Sequence, residues 1–205
     1  MNTREGAYIY NSIRLAIVGN SFLTNSEYGL GLLNVSETGI SGNIFSENYE
    51  GIFASVSRIL KIKGNLIENN TWDGVGIYES KIIALDNNTI YNNNYGVLNV
   101  EGKEIFIRKN SIFENKQIGV FVDGSVNVTI SENSIHGSNN GVDLSYSDKN
   151  SLTSNEIINN DIGIFIENSK GNSLDNNVLK NKNNIVVSPS DSIYLLNSTS
   201  YSGQR

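Results

Sequence analysis

The sequence predicts an all-β solenoid, in which short parallel strands stack coil upon coil. Three observations carry that prediction. An asparagine returns every 22 or 23 residues, at Asn20, Asn43, Asn65, Asn88, Asn110, Asn133, Asn155 and Asn177, and a fixed period of this size belongs to solenoids. Each is followed two positions later by a large apolar residue (Phe22, Phe45, Ile67, Ile90, Ile112, Ile135, Ile157, Leu179) and preceded three positions earlier by another (Ile17, Ile40, Ile62, Leu85, Ile107, Ile130, Leu152, Leu174). Within a repeat the apolar residues lie two apart in short clusters, which is the period of a strand and not the 3.6 of a helix.

The elements of one repeat follow in order. A glycine comes eight or nine residues after the first seven asparagines, at Gly29, Gly51, Gly74, Gly96, Gly119, Gly141 and Gly163, with Asn184 in that role in the last repeat. It opens a strand whose apolar positions are one and three residues further on, as in Ile52 and Ala54 or Val120 and Val122. Asn99 breaks that pattern and predicts a local shift of register. A turn and a second strand lead to the repeat asparagine, and a third strand follows it. Each repeat therefore holds about three strands, and no repeat contains a helix-length apolar pattern. Equivalent strands of successive coils pair in parallel at roughly 4.8 Å, so about eight coils make a rod on the order of 40 Å long. One coil cannot bury its own apolar face; the stack can.

Asparagine is abundant, at 34 residues in 205. A second column, Asn25, Asn48, Asn70, Asn93, Asn115 and Asn160, trails the first by five positions. Asparagine accepts left-handed backbone and bonds its own turn. In-register stacking also lets one amide bond the next. Both columns are expected to be structural; sugar binding by them would require the amides to point outward.

Leucine-rich repeats share the period. Their consensus, however, needs an apolar residue eight before the Asn, and that slot here holds Ser57, Ser80, Gly102, Ser125, Ser147 and Ser169. The pattern N-x-I followed by N-N-x-x-G-I-x-I instead resembles the right-handed parallel β-helix repeats of the pectin-lyase-like superfamily. It is closest to the group found in NosD-type proteins and in carbohydrate-binding and sugar-hydrolase domains. The resemblance covers about residues 6–196 of a single domain spanning 1–205, with a polar tail at 197–205. It implies a right-handed coil and either polysaccharide chemistry or, through NosD, accessory delivery of copper to a maturing enzyme. Copper sites favour Cys, Met and His, whereas this chain has no Cys, one His and one Met.

Composition narrows the partners. The formal net charge is −6, without the basic stripe of a nucleic-acid groove. No apolar run approaches the roughly 18 residues of a membrane span. Residues 1–19 hold no signal-peptide core and already read as repeat. The absence of Cys leaves the redox compartment open. Sequons at Asn34, Asn69, Asn87, Asn127 and Asn197 are consistent with an extracellular or cell-surface setting. Pro189, the single proline, falls where the regular repeat ends and suits a terminal coil or loop. No amphipathic helix precedes the first coil to cover its edge. Uncapped edges invite pairing, so a longer solenoid, end-to-end association or docking on a partner domain is expected.

Chemistry is sought in the outward column two after each glycine: Gly31, Phe53, Gly76, Leu98, Phe121, Asp143, Phe165 and Val186. It is unusually apolar for a solvent face. A covering partner would explain it; so would a platform on which sugar rings stack at Phe53, Phe121 and Phe165. Asp143 falls between Phe121 and Phe165, with Asp123 and Glu167 close by on the same strands. Ideal strand spacings put Asp123 and Asp143 about 8 Å apart at the backbone, within the range of an inverting glycosidase pair. The same oxygens suit Ca²⁺. His136 lacks the motif neighbours that β-helix hydrolases, epimerases and lyases use, and reads as an outward packing residue beside Tyr91 and Phe113. The expectation is a non-catalytic module, a rigid scaffold or a polysaccharide binder. The alternatives are a polysaccharide-active enzyme lacking its loops or partner domain, and a NosD-like accessory protein.

Overall fold

A computed structural model describes residues 4–188 and 192–201; Pro189 lies outside the described residues. Three parallel sheets, each nine strands deep, wrap a single core, and no helix interrupts them among the described residues. The first sheet holds the glycine strands, such as Glu50–Ser55, Asp73–Tyr78 and Ile118–Asp123. The second holds strands such as Arg58–Lys63 and Lys81–Asp86. The third holds the three-residue strands that follow each repeat asparagine, such as Leu66–Glu68. Every pairing joins a strand to its equivalent one coil away, as Ile52 to Val75 and Val97 to Val120. The ninth coil lacks the repeat asparagine, and Ser198 stands in by accepting the Asn177 N–H through Oγ.

Corners come from left-handed residues, one per bend. Asn34, Val56, Glu79 and Glu101 close the first sheet's strands with φ between 48° and 54°. Gly42, Gly64, Asn87 and Lys109 precede the repeat asparagine in the same conformation. Asparagine and glycine accept it at little cost, whereas β-branched Val56 does not.

Both asparagine columns point inward. Asn65 Oδ1 accepts the Asn43 N–H and Nδ2 at 3.0 Å each, while Asn65 Nδ2 donates to Asn88 Oδ1 and to the Ile40 carbonyl. The motif repeats coil by coil down to Asn177. The second column does the same from Asn25 to Asn115. One side chain thus satisfies the buried backbone groups at a turn that no sheet can reach. The fully buried column Ile67, Ile90, Ile112 lies between the ladders, and the equally buried Ile62, Leu85, Ile107 on the second-sheet side of the first.

Asn99 does not shift the register. It pairs in step with Ile77 and Val122, is fully buried, and donates through Nδ2 to Ser125 Oγ at 2.9 Å. Gly102 makes room for it: a methyl group there would lie 2.0 Å from Asn99 Oδ1. The polar core residue is accommodated by a compensating loss of side chain three positions on.

Candidate functional site

The outward face of the first sheet is where polar chemistry and aromatic rings meet. The glycine opening each strand crowds the turn: a methyl on Gly74 would lie 2.6 Å from the Gly96 carbonyl oxygen. The residue just before it swings to the outer face. In successive coils that position reads Tyr28, Glu50, Asp73 and Tyr95, as the pairings of Tyr28 with Glu50 and of Asp73 with Tyr95 establish. Two acids therefore stand in adjacent coils, bracketed by two tyrosines.

Gly76 explains how both acids fit. Phe53 stands on one side of it in the column and Leu98 on the other, and the space above Gly76 is taken by its neighbours. A methyl on Gly76 would lie 2.8 Å from Tyr78 Cε2 and 3.1 Å from both Asp73 Oδ2 and Glu50 Oε2. The two carboxyls converge on one point. Tyr78 Oη donates to Asp73 Oδ2 at 3.0 Å. The rings form a lid: Tyr28 stacks on Phe53 at 4.5 Å, and Tyr78 leans on the other side of Phe53 at 5.3 Å. Glu50 is 6% exposed and Asp73 is fully buried. Glu50 Oε2 and Asp73 Oδ1 find no hydrogen-bond partner among the described residues.

Burial of this kind penalises the charged form. It pushes the Glu50 carboxyl up to about 8, with the neighbouring Asp73 charge adding to the effect. Asp73 rises to about 7 by burial, opposed by the hydrogen bond from Tyr78. Burial and the adjacent carboxyls push the Tyr78 hydroxyl upward as well. The pair holds protons near neutrality.

Further down the same face, the sequence-predicted residues come together as the register requires. Phe121, Asp143 and Phe165 are direct neighbours in successive strands, and Asp123 and Glu167 flank Ser145. Phe121 packs on Tyr95 at 6.0 Å. Asp143 is buried; its Oδ2 accepts from Asn140 Nδ2 and its Oδ1 from Ser145 Oγ, at 3.0 and 2.9 Å. Burial raises its pKa, those two hydrogen bonds pull it back, and Glu167 and Asp123 add to the rise. Among the described residues, no group of three or more His, Cys, Asp or Glu is assembled as a metal site. His136 stacks on Phe113 at 5.3 Å in a ladder with Tyr91 on the third sheet.

Sequence reasoning passed over Glu50, Asp73 and Tyr78. The signal was present: two acids in consecutive repeats directly before the glycine, and a glycine at 76 between Phe53 and Leu98 in the outward column.

A parallel solenoid of stacked three-strand coils, with one acid- and aromatic-rich face, defines a β-helix protein. The chain belongs to the right-handed beta helix family, whose model matches residues 1–111 and 51–202. No curated protein matches by sequence. Among solved structures, the periplasmic alginate epimerase AlgG superposes with a TM-score of 0.82 at 17% identity, covering 91% of this chain and 50% of that one. The A-module of the mannuronan C-5 epimerase AlgE6 from Azotobacter vinelandii gives 0.70 at 18% identity, over 94% and 65%. Pectate lyase Pel9A gives 0.67 at 14%, over 93% and 68%. The tailspike TSP2 of Escherichia coli O157:H7 bacteriophage CAB120 gives 0.63 at 11%, over 97% and 35%. The chain thus spans half the length of the alginate epimerase. At these identities the likeness is one of fold. No helix among the described residues is long and apolar enough to cross a membrane.

Proposed function

We propose that this chain is a non-catalytic, extracellular or cell-surface module that lays a polysaccharide along the outward face of its first sheet. The observation that carries the reading is the concentration of rings and carboxyls on that one face, from Tyr28 and Phe53 through Phe121 and Asp143 to Phe165. Two features favour binding over catalysis. Equivalent positions lie 21 to 23 residues apart, so among the described residues no long insertion walls a cleft of the sort small-substrate sites use. Glu50 and Asp73 lie beneath their rings with almost no exposure. Asp123 and Glu167, half-buried at the rim, are the carboxyls available to sugar hydroxyls. The alginate and pectate enzymes of the same fold support the polymer class by analogy.

One observation favours a second reading, a polysaccharide-active enzyme. Glu50 and Asp73 converge above Gly76 and stay protonated near neutrality, as acid–base pairs at catalytic sites do. A glycan array with the wild type and a Phe121→Ala/Phe165→Ala variant tests the proposal. Binding lost in the variant at unchanged melting temperature supports the module. Turnover of any bound glycan, abolished by Asp73→Asn, replaces it with the enzyme. Glycan binding that ignores the double substitution refutes the assigned face.

A further inference from the structure

A second aromatic column runs along the turn between the third and first sheets and meets the sheet face at Tyr95. Tyr49 and Trp72 occupy equivalent positions in adjacent coils, their rings 6.5 Å apart and within 3° of parallel, and Tyr95 meets Trp72 edge-on at 5.5 Å. Both Tyr49 and Trp72 are exposed, at 44% and 40%. The column stops abruptly on the other side. The Tyr49 N–H bonds the Asn25 and Glu27 carbonyls, so Ser26 and Glu27 are its neighbours in the preceding coil. Neither carries a ring, so the stack ends at the exposed Tyr49. Beside it is a hollow of about 300 Å³ lined by Thr24, Ser26, Glu47, Tyr49 and Thr71, with Asn25 and Asn48 behind.

We infer that this hollow is a saccharide subsite that takes an uncharged sugar ring in preference to a uronate. The inference rests on the polysaccharide reading above and sharpens its substrate class. The open ring face suits the C–H face of a pyranose, since an amphipathic ring with a polar rim needs an apolar floor and hydrogen-bonding walls. Thr24, Ser26 and Thr71 supply hydroxyls that both donate and accept, and Glu47 supplies an acceptor. Asn48 contributes no free amide oxygen toward a ligand: its Oδ1 already accepts the Asn25 N–H and Nδ2, and its Nδ2 donates along the ladder.

Charge decides the preference. No Lys or Arg lines the hollow, and its one charged group is Glu47. Glu50 and Asp73, protonated near neutrality, add no charge, but the half-buried Asp123 and Glu167 further along the face do, and its strands' outward positions hold no basic residue to offset them. A uronate carboxylate within several ångströms of Glu47 is repelled, which weakens binding by about threefold to tenfold per charged residue at moderate salt. The alginate and pectate enzymes act, by name, on acidic polymers. This chain presents the wrong sign of charge for them.

Trp72 is the only tryptophan and stacks on Tyr49, so its emission reports on the site directly. Cellohexaose, mannohexaose and hexagalacturonate are titrated against the wild type, Tyr49→Ala, Tyr49→Phe, Glu47→Gln and Phe121→Ala/Phe165→Ala, with circular dichroism to verify folding. A saturable Trp72 response to a neutral hexamer is expected, weakened at least tenfold by Tyr49→Ala and held within about threefold by Tyr49→Phe. Hexagalacturonate is expected to bind more weakly, with Glu47→Gln narrowing the gap. Hexagalacturonate binding as tightly as the neutral hexamers overturns the inference. Neutral binding that survives Tyr49→Ala but disappears in Phe121→Ala/Phe165→Ala also overturns it while leaving the module reading intact. If no hexamer changes the Trp72 emission, the inference is overturned, while the module reading stands or falls on the glycan array.

Discussion

Asn88 lies in the middle of the first amide ladder, and its removal measures what that ladder contributes. Its Oδ1 accepts the Asn65 N–H and Nδ2, each at 3.0 Å, and its Nδ2 donates to the Ile62 carbonyl at 2.9 Å and to Asn110 Oδ1 at 3.0 Å. In Asn88→Ala the Asn65 N–H is left buried without its acceptor, at about 1–3 kcal/mol. The other losses are softer. Asn65 Nδ2 retains the Ile40 carbonyl, and Asn110 Oδ1 retains the Asn88 N–H. They add about 1 kcal/mol, for a total near 3 kcal/mol. Asn20→Ala is the matched control. The Asn20 amide also donates within the ladder, to Asn43 Oδ1 and the Val18 carbonyl, but Asn20 is exposed and water replaces those bonds; it is expected to cost less than about 1 kcal/mol. Urea denaturation followed by circular dichroism, compared at equal m-values, reads both. A difference between the two variants under about 0.5 kcal/mol would refute the claim that burial of the ladder sets its worth.

The buried acid pair and the strained bend at Val56 can be tested through stability as well. Glu50 and Asp73 are easier to protonate folded than unfolded, so their contribution is fully present below their unfolded values of 4.5 and 3.8 and is lost as pH rises through about 7 and 8. The wild type should lose on the order of a few kcal/mol between pH 4.5 and 8, and Glu50→Gln/Asp73→Asn should flatten that slope in a melting-temperature series; an unchanged slope would count against the buried pair. Val56 is exposed with φ at 49°, where Asn34 and Asn168 stand in equivalent coils. Val56→Asn should therefore stabilise by about 1 kcal/mol, and a fall in melting temperature would show that its left-handed bend carries no strain.

The comparison of sequence with structure divides along a physical line. Whatever repeats was legible. The period of 22 or 23 residues fixes which residues become vertical neighbours, and so the strand pairings, the two amide ladders and the Ile62 and Ile67 columns could be named in advance. The stacking of Phe121, Asp143 and Phe165 came from the same arithmetic. Whatever departs from the repeat was not legible, because it depends on how a side chain is packed and not on where it recurs. Asn99 looked like a slip of register until Gly102 was seen to vacate the space it fills. Glu50 and Asp73 stand outside the columns that the repeat singles out; what buries them is Tyr28, Phe53 and Tyr78 closing over the gap at Gly76. The hollow at Tyr49 likewise depends on the preceding coil, whose Ser26 and Glu27 carry no ring to continue the stack. Periodicity along the chain determined the coil, because backbone hydrogen bonds act between equivalent positions. The tertiary structure alone decided which outward groups are wet, because burial is a property of several unlike side chains meeting across coils.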